Sequence, residues 1–213
     1  MTPDFALFAC LAAGACLASL YLCRGAAAEV PAPAAVFAKT CSVVLLSLGG
    51  LLAAAPLHVT VGLALCALGD YLITRRGNHT LEYAIAAFAL GHLSYADWMY
   101  TSENAMRILW VLPLVALAIS TEFWLLPRTF ALKFGVRIYI WIITFMAARA
   151  LTLPYENRLA IIGAALFVIS DLLLALRLFV ARDPGRQRLL SLLLWPAYWL
   201  GQALILLGSL GYP

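Results

Sequence analysis

Charged residues are scarce in this sequence: they make up 11% of its 213 residues, whereas hydrophobic residues make up 65%. Soluble globular domains have about 25% charged residues. A fraction this low excludes a soluble globular domain and indicates an integral membrane protein. Because nearly the whole chain lies in long apolar runs, we expect a single integral membrane domain over residues 1–213.

Signatures of several other kinds of site are missing. The net charge is only +4, which basic residues flanking membrane spans explain, so no nucleic-acid partner is expected. The three histidines are scattered, and the five cysteines lie in or beside apolar runs without metal-ligand spacing. The sequence has no glycine-rich nucleotide loop and no nucleophile elbow. It therefore predicts no metal, no cofactor and no disulfide framework.

Long apolar runs are what the sequence does contain. A spanning helix needs about 20 mostly apolar residues, and helices are favoured because a spanning segment must satisfy its own backbone hydrogen bonds. The first run has no positive charge before it and is too long for a signal peptide, so we interpret it as a retained span. The predicted fold is all-α, with eight transmembrane helices at residues 4–23, 34–54, 57–75, 80–100, 105–121, 131–150, 157–179 and 189–210.

The distribution of lysine and arginine predicts the orientation of the spans. Of the 14 basic residues, ten lie in or beside the connections after spans one, three, five and seven, and three lie on the other side, at Arg107, Arg149 and Arg158. Positive residues favour the cytoplasmic side. We therefore expect both termini outside. Since the composition is rich in alanine, we expect the membrane to be a bacterial inner membrane.

Two parts of the sequence resemble each other. "LGDYLITRR" at 68–76 in span three is similar to "ISDLLLALR" at 169–177 in span seven, and both aspartates precede an arginine by six residues. "LGH" at 90–92 is similar to "LGQ" at 200–202. Because four spans separate the members of each pair, the pattern indicates a 4+4 parallel repeat, as a tandem duplication would give.

Polar side chains inside the predicted spans are the candidates for a functional site. Ionisable groups there are expensive, and they usually face the protein interior or a water-filled cavity. At about 1.5 Å per residue, they lie at compatible depths, and aromatic or apolar residues share their helix faces. This mixture favours a pocket for an amphiphile over an ion pore. The candidates are Lys39, Asp70, His92, Tyr139, Asp171, Tyr198 and Gln202.

Structural roles for these residues stay open at this point. Lys39 is near enough to a span end to act as an interface anchor, and a lone histidine such as His92 is commonly a hydrogen-bonded core residue. Either aspartate could simply pair with Lys39, an arginine or a hydroxyl group.

In series, these residues resemble the YhhN family of multi-spanning membrane proteins, which includes the eukaryotic transmembrane lysoplasmalogenases. The matching stretches follow the family's order and extend over most of the chain. They are "AKT" at 38–40, "LGDYLI" at 68–73, "FALGHLSY" at 88–95, "YIWIITFMA" at 139–147, "GAALFVISDLLLAL" at 163–176 and "YWLGQALILLG" at 198–208. One departure is Thr40, where the family often has proline after the lysine.

The resemblance implies hydrolysis of the vinyl ether bond of a lysoplasmalogen, a lysophospholipid, within a lipid membrane. Protonation of the β-carbon creates an oxocarbenium-like cation, so one of Asp70 and Asp171 is expected to be a protonated acid. The other, kept ionised by Lys39 or a tyrosine hydroxyl, would stabilise the cation. Which aspartate is the acid stays open. Substrate contacts are expected from Lys39, His92, Tyr139, Ser170, Tyr198 and Gln202, with Arg76 or Arg177 near the phosphate.

Two other function classes are compatible with buried carboxylates. One is a proton-coupled small transporter or a non-catalytic lipid-binding protein. The other is an intramembrane aspartyl protease, which also uses two aspartates on neighbouring spans. The protease reading is weakened because Ala67 stands where its Gly-x-Gly-Asp motif requires a glycine.

Overall fold

Eight α-helices make up most of the part of the chain that the structure describes. The computed structural model describes residues 3–28, 31–75, 77–100 and 108–212, which are largely helical (85% helix) and contain no strand. Two 3₁₀ turns connect the fifth and sixth helices, and a π-helical turn at Leu176–Val180 extends the seventh. The helices are α1 (Pro3–Arg24), α2 (Pro33–Leu52), α3 (Leu57–Ile73), α4 (Thr80–Trp98), α5 (Ile108–Trp124), α6 (Lys133–Ala150), α7 (Arg158–Ala175) and α8 (Pro184–Ser209).

The surface of the helix bundle is suited to lipid rather than water. Six helical segments of the described residues are long and apolar enough to cross a membrane: those of α1, α2, α5, α6, α7 and α8. Large apolar side chains point away from the protein, and Phe37, Phe123 and Phe134 are 66%, 79% and 72% exposed. Apolar exposure on this scale requires an apolar solvent. The chain is therefore an integral membrane protein.

Helix α8 begins at Pro184, five residues before the predicted span, so the predicted boundary at residue 189 is wrong. Asp183 is the N-cap, and its Oδ2 accepts a hydrogen bond of 2.8 Å from the backbone N–H of Arg186. Pro184 follows at the first helical position, where its missing N–H is harmless. Capping therefore starts the helix in a polar stretch that hydropathy assigns to a connection.

Helix α5 ends at Trp124, three residues beyond the predicted span. The predicted start at residue 105 lies outside the described residues, as do Arg76 and Arg107. Helix α3 has 17 residues and is shorter than the six membrane-crossing segments. Helix α4 includes Glu82, His92 and Asp97 in its 19 residues, which lowers its apolar character.

Close glycine contacts hold two helix pairs together. Between α7 and α8, a Cβ added to Gly163 would lie 2.7 Å from the carbonyl oxygen of Gly201. Between α3 and α4, a Cβ added to Gly91 would lie 3.1 Å from the carbonyl oxygen of Gly62. Small residues let helix backbones approach in this way. The two tight pairs fix the positions of α3 and α7, the helices with the buried aspartates.

Candidate active site

Three helices meet at the carboxylate of Asp70. Lys39 of α2 places its Nζ 2.9 Å from Oδ1, and the hydroxyl of Tyr198 on α8 donates a hydrogen bond of 2.7 Å to Oδ2. Asp70 is 2% exposed and Lys39 is 8% exposed. A buried charge is tolerable when it is paired and hydrogen-bonded. Asp70 therefore has the environment of an ionised carboxylate.

Aromatic rings surround the ammonium group of Lys39. Its Nζ lies 5.8 Å from the ring centroid of Tyr21 and 5.7 Å from that of Trp195. The Trp195 ring is fixed by a 2.9 Å hydrogen bond from its Nε1 to the carbonyl oxygen of Ala18. Ring faces attract cations, so these contacts add to the ion pair with Asp70. The ammonium points into the protein and not towards a lipid interface.

The environment of Asp171 is different. The hydroxyl of Tyr139 on α6 donates a hydrogen bond to its Oδ2, and Nε2 of His92 on α4 lies 3.9 Å from the same oxygen. The Asp171 side chain is 14% exposed. Among the described residues, no lysine or arginine lies within 4.0 Å of this carboxyl group. The two aspartates therefore differ in their partners: a cation and a hydroxyl for one, a hydroxyl and an imidazole for the other.

The ring of His92 is held in one orientation. Its Nδ1 lies 2.5 Å from the carbonyl oxygen of Phe88, and since a carbonyl can only accept, Nδ1 carries the hydrogen. Nε2 is then the free acceptor of the neutral ring, and it has no hydrogen-bond partner within the described residues. The rings of Phe167 and Tyr139 pack edge-on against it at 4.5 and 5.5 Å. Packing thus directs the unprotonated Nε2 of His92 towards Asp171.

A single cavity of about 230 Å³ reaches both carboxyl groups. It lies towards the end of the bundle at which α3 and α7 finish, which we call the basic end because Arg75 and Arg177 both line the cavity there. Among the predicted site residues, the cavity brings together Lys39, Asp70, Ser170, Asp171 and Tyr198.

An apolar groove meets this cavity at Asp171. The groove lies between α4, α5, α6 and α7, and Tyr139 is part of its wall. Residues shared by the groove and the cavity are Ile73, Phe88, Asp171, Leu174 and Leu178. Asp171 therefore faces a polar compartment on one side and an apolar compartment on the other.

Three predicted site residues do not line the cavity: Gln202, His92 and Tyr139, of which Tyr139 lines the apolar groove instead. Gln202 is fully buried, and its Oε1 accepts a 2.5 Å hydrogen bond from the hydroxyl of Tyr95. His92 is also fully buried, and it contacts the site through Asp171, 3.9 Å from its Nε2, and through the ring of Tyr139. Ser170 does line the cavity, but its hydroxyl donates a 2.8 Å hydrogen bond to the carbonyl oxygen of Phe167 on its own helix.

Several cavity residues with polar side chains are absent from the predicted set, among them Tyr21, Arg75 and Ser191. Arg75 adjoins Arg76, for which the sequence predicts a position near the phosphate, so the sequence contained a signal for this residue. Tyr21 and Ser191 lie near the ends of α1 and α8, where a tyrosine or a serine is unremarkable. Only the packing of these helices against α2 and α7 directs them to the site.

Comparison with protein-family models identifies the family of the chain. A family model described as the YhhN family matches residues 34–209. The chain belongs to the YhhN family. The match confirms the resemblance expected from the sequence motifs, and it includes all the predicted site residues of this YhhN protein. Searches of curated proteins and of solved structures found no match.

Proposed function

We propose that this YhhN protein is a lysoplasmalogenase-like membrane hydrolase. It cleaves the vinyl ether bond of a lysoplasmalogen to a fatty aldehyde and glycerophosphoethanolamine or glycerophosphocholine. The observation that carries the proposal is the cavity that holds two aspartates: Asp70 is buried with a cation partner, and Asp171 is partly buried and has no lysine or arginine partner among the described residues. Such a pair suits a reaction that needs an acid and a negative charge at the same place.

In this proposal Asp171 is the general acid and Asp70 is the stabilising anion. The ion pair with Lys39 and the hydrogen bond from Tyr198 favour the charged form of Asp70. Asp171 has no lysine or arginine partner among the described residues, and its position at the apolar groove favours a neutral carboxyl group. Different surroundings for two carboxyl groups are the general means of assigning them different roles.

The reaction begins with transfer of the Asp171 proton to the β-carbon of the vinyl ether. The C=C electron pair forms the new C–H bond, and the positive charge spreads over the α-carbon and the ether oxygen. The Asp70 carboxylate stabilises this cation. Water then adds to the α-carbon and releases its proton to Asp171. When the hemiacetal splits, the C–O bond pair and the hydroxyl proton pass to the glycerol oxygen, and the aldehyde leaves.

The phosphate of the headgroup would bind at the basic end of the cavity. Arg75 and Arg177 line this part, and guanidinium groups bind phosphate through paired hydrogen bonds. Lys39 is already engaged with Asp70. The two arginines are therefore better placed than Lys39 to serve as headgroup donors.

We also propose that all eight helices span the membrane, with both termini outside and the basic end in the cytoplasm. The membrane would be a bacterial inner membrane. Helices α3 and α4 are packed against each other along the bundle, and α3 is nearly long enough for a span. The positive charge at the basic end supports this orientation.

The 4+4 repeat belongs to the same proposal. Asp70 lies eight residues after Gly62, and Asp171 lies eight residues after Gly163. In each half, the carbonyl oxygen of that glycine approaches a second glycine, at position 91 or 201 of the following helix. Lys39 and Tyr139, the partners of the two aspartates, are both the seventh residue of their helices. A duplication followed by divergence of one partner would explain this pattern.

The test is release of fatty aldehyde from lysoplasmalogen by the purified protein. Asp70→Asn and Asp171→Asn should each reduce turnover at least about a hundredfold, the lower range for loss of an acid–base group. Asp97→Asn is the matched control, because Asp97 is an exposed aspartate at the far end of α4 that pairs with His58. Full activity in either site variant, or no aldehyde from the wild-type protein, would contradict the proposal. Proton-dependent uptake into liposomes without aldehyde would favour a transporter instead.

A further inference from the structure

We infer that the apolar groove between α4, α5, α6 and α7 is the binding site for a single hydrocarbon chain, and that α5 sets the length of chain it accepts. The inference rests on the proposed function, because it takes the occupant to be the chain of a lysophospholipid. It adds where the chain lies, which helix limits it and how the scissile bond reaches the acid.

The first argument is continuity with the polar cavity. The groove and the cavity share five residues, and Asp171 is the one among them with an ionisable side chain. An amphiphile with its phosphate near Arg75 and Arg177 and its chain in the groove must cross from one compartment to the other at Asp171. The bond that joins headgroup and chain would therefore lie beside the carboxyl group.

The second argument is the chemistry of the groove wall. Apart from Tyr139 and Asp171 at the junction, its hydroxyl groups belong to Thr121 and Thr144. Each threonine donates its hydroxyl hydrogen to a carbonyl oxygen of its own helix, to Ala118 at 2.6 Å and to Ile140 at 2.7 Å. No hydroxyl donor is left for a polar ligand there, so the wall fits a hydrocarbon.

The third argument is the shape of the groove. On α6 it extends from Val136 to Thr144, a distance of about 12 Å along the helix axis. Large apolar residues close its walls, among them Phe88 and Phe179. In the described residues a single groove of this kind reaches Asp171, which fits a lipid with one chain and leaves a second chain without a site.

Helix α5 forms the outer wall of the groove. It packs on α6 and on the turn that follows it, and it presents Leu114, Leu117, Ala118 and Thr121 to the groove. Ala118 is 4% exposed, whereas Ala116 on the same helix is exposed and is not part of the groove. Ala118 is the small residue on this wall, so a larger side chain there would shorten or narrow the groove.

The test compares Ala118→Phe with the matched control Ala116→Phe. Binding is measured with saturated alkyl ether lysophosphocholines bearing octyl, dodecyl and hexadecyl chains, which contain no vinyl ether and cannot be hydrolysed by this chemistry. Ala118→Phe should weaken hexadecyl binding about tenfold or more, the effect of losing contact with a few methylene groups, and should leave octyl binding nearly unchanged. Ala116→Phe should bind all three ligands like the wild type.

The outcomes separate this inference from the proposed function. Thermal unfolding checks that both variants are folded. If both are folded and bind each ligand equally at every chain length, the assignment of the groove as the chain site is wrong. A second substitution, Leu117→Ala, removes side-chain volume from the same wall. The groove becomes larger, and binding should shift in favour of longer chains. If binding follows these expectations but the wild type releases no aldehyde from lysoplasmalogen, the groove stands and the hydrolase proposal fails.

Discussion

Lys39 and Asp70 form a buried ion pair, with 2.9 Å between Nζ and Oδ1. Asp171 lines the same cavity, but Tyr139 stands at the corresponding position of its neighbouring helix. Similar backbone positions thus give one carboxyl group a cation and the other a neutral donor. The following predictions depend on this difference and on the helix packing that produces it.

Replacing Lys39 with methionine should destabilise the protein by about 3–5 kcal/mol, because it leaves the Asp70 carboxylate buried without its cation. Thermal or denaturant unfolding in detergent measures the effect. The double variant Lys39→Met with Asp70→Asn should recover part of this loss, since the unpaired charge is gone. A Lys39→Met protein as stable as the wild type would show that the ion pair is unimportant.

Replacing Tyr139 with phenylalanine should lower kcat with little change in KM. The substitution removes the hydrogen bond to Asp171 and keeps the ring that packs against His92. In the proposed reaction Asp171 becomes charged as it gives up its proton, and hydrogen bonds to charged groups contribute about 1.5–3 kcal/mol. A decrease in kcat of about ten- to a hundredfold is therefore expected. Tyr139→Phe with unchanged kcat on lysoplasmalogen would separate this tyrosine from the chemistry.

Replacing Tyr198 with phenylalanine should also reduce turnover, but with a loss of stability as well. Its hydroxyl donates to the Asp70 carboxylate, which is 2% exposed, so the substitution leaves a buried carboxylate oxygen without this donor. Unfolding free energy should fall by about 1–3 kcal/mol. Parallel measurement of kcat and unfolding would distinguish this result from that for Tyr139→Phe, and identical behaviour of the two variants would contradict the assigned roles.

Replacing Gly163 with alanine should destabilise the α7–α8 pair, because the new Cβ would lie 2.7 Å from the backbone carbonyl oxygen of Gly201. Backbone cannot move as a flexible side chain can, so α7 and α8 must separate and Asp171 must shift. Lower melting temperature and lower turnover are expected together. The control is Gly135→Ala on α6, where the Cβ would meet nothing within 4 Å. That change should be neutral or stabilising by up to about 1 kcal/mol.

Much of the membrane fold was predictable from residue type alone. The predicted apolar segments coincide with helices over most of their lengths, because hydropathy over about 20 residues is a local property. Six of the described helices are long and apolar enough to cross a membrane. The exception at Asp183 and Pro184 shows the limit of that approach. Capping and proline geometry extend α8 through polar residues that a hydropathy window discards.

Most polar residues of the candidate site could be predicted from the sequence, but their contacts with one another could be predicted only in part. Lys39, Asp70, Asp171 and Tyr198 stand out because polar groups are rare in apolar helices, and one cavity contains them all. Gln202 is also a polar residue in an apolar helix, yet its side chain accepts a hydrogen bond from Tyr95 and does not line the cavity. Helical periodicity gives the face of each residue but not which neighbouring helix that face meets.

Residue types and their order along the chain were enough to predict an all-helical integral membrane protein of the YhhN family with an aspartate in each of two apolar helices. Tertiary structure decided which aspartate receives the lysine. The packing of α2 on α3 delivers Lys39 to Asp70, whereas the packing of α6 on α7 delivers Tyr139 to Asp171. The hydropathy of a helix follows from its own residues. An ion pair between two helices depends on which helices are neighbours, and only the folded bundle specifies that.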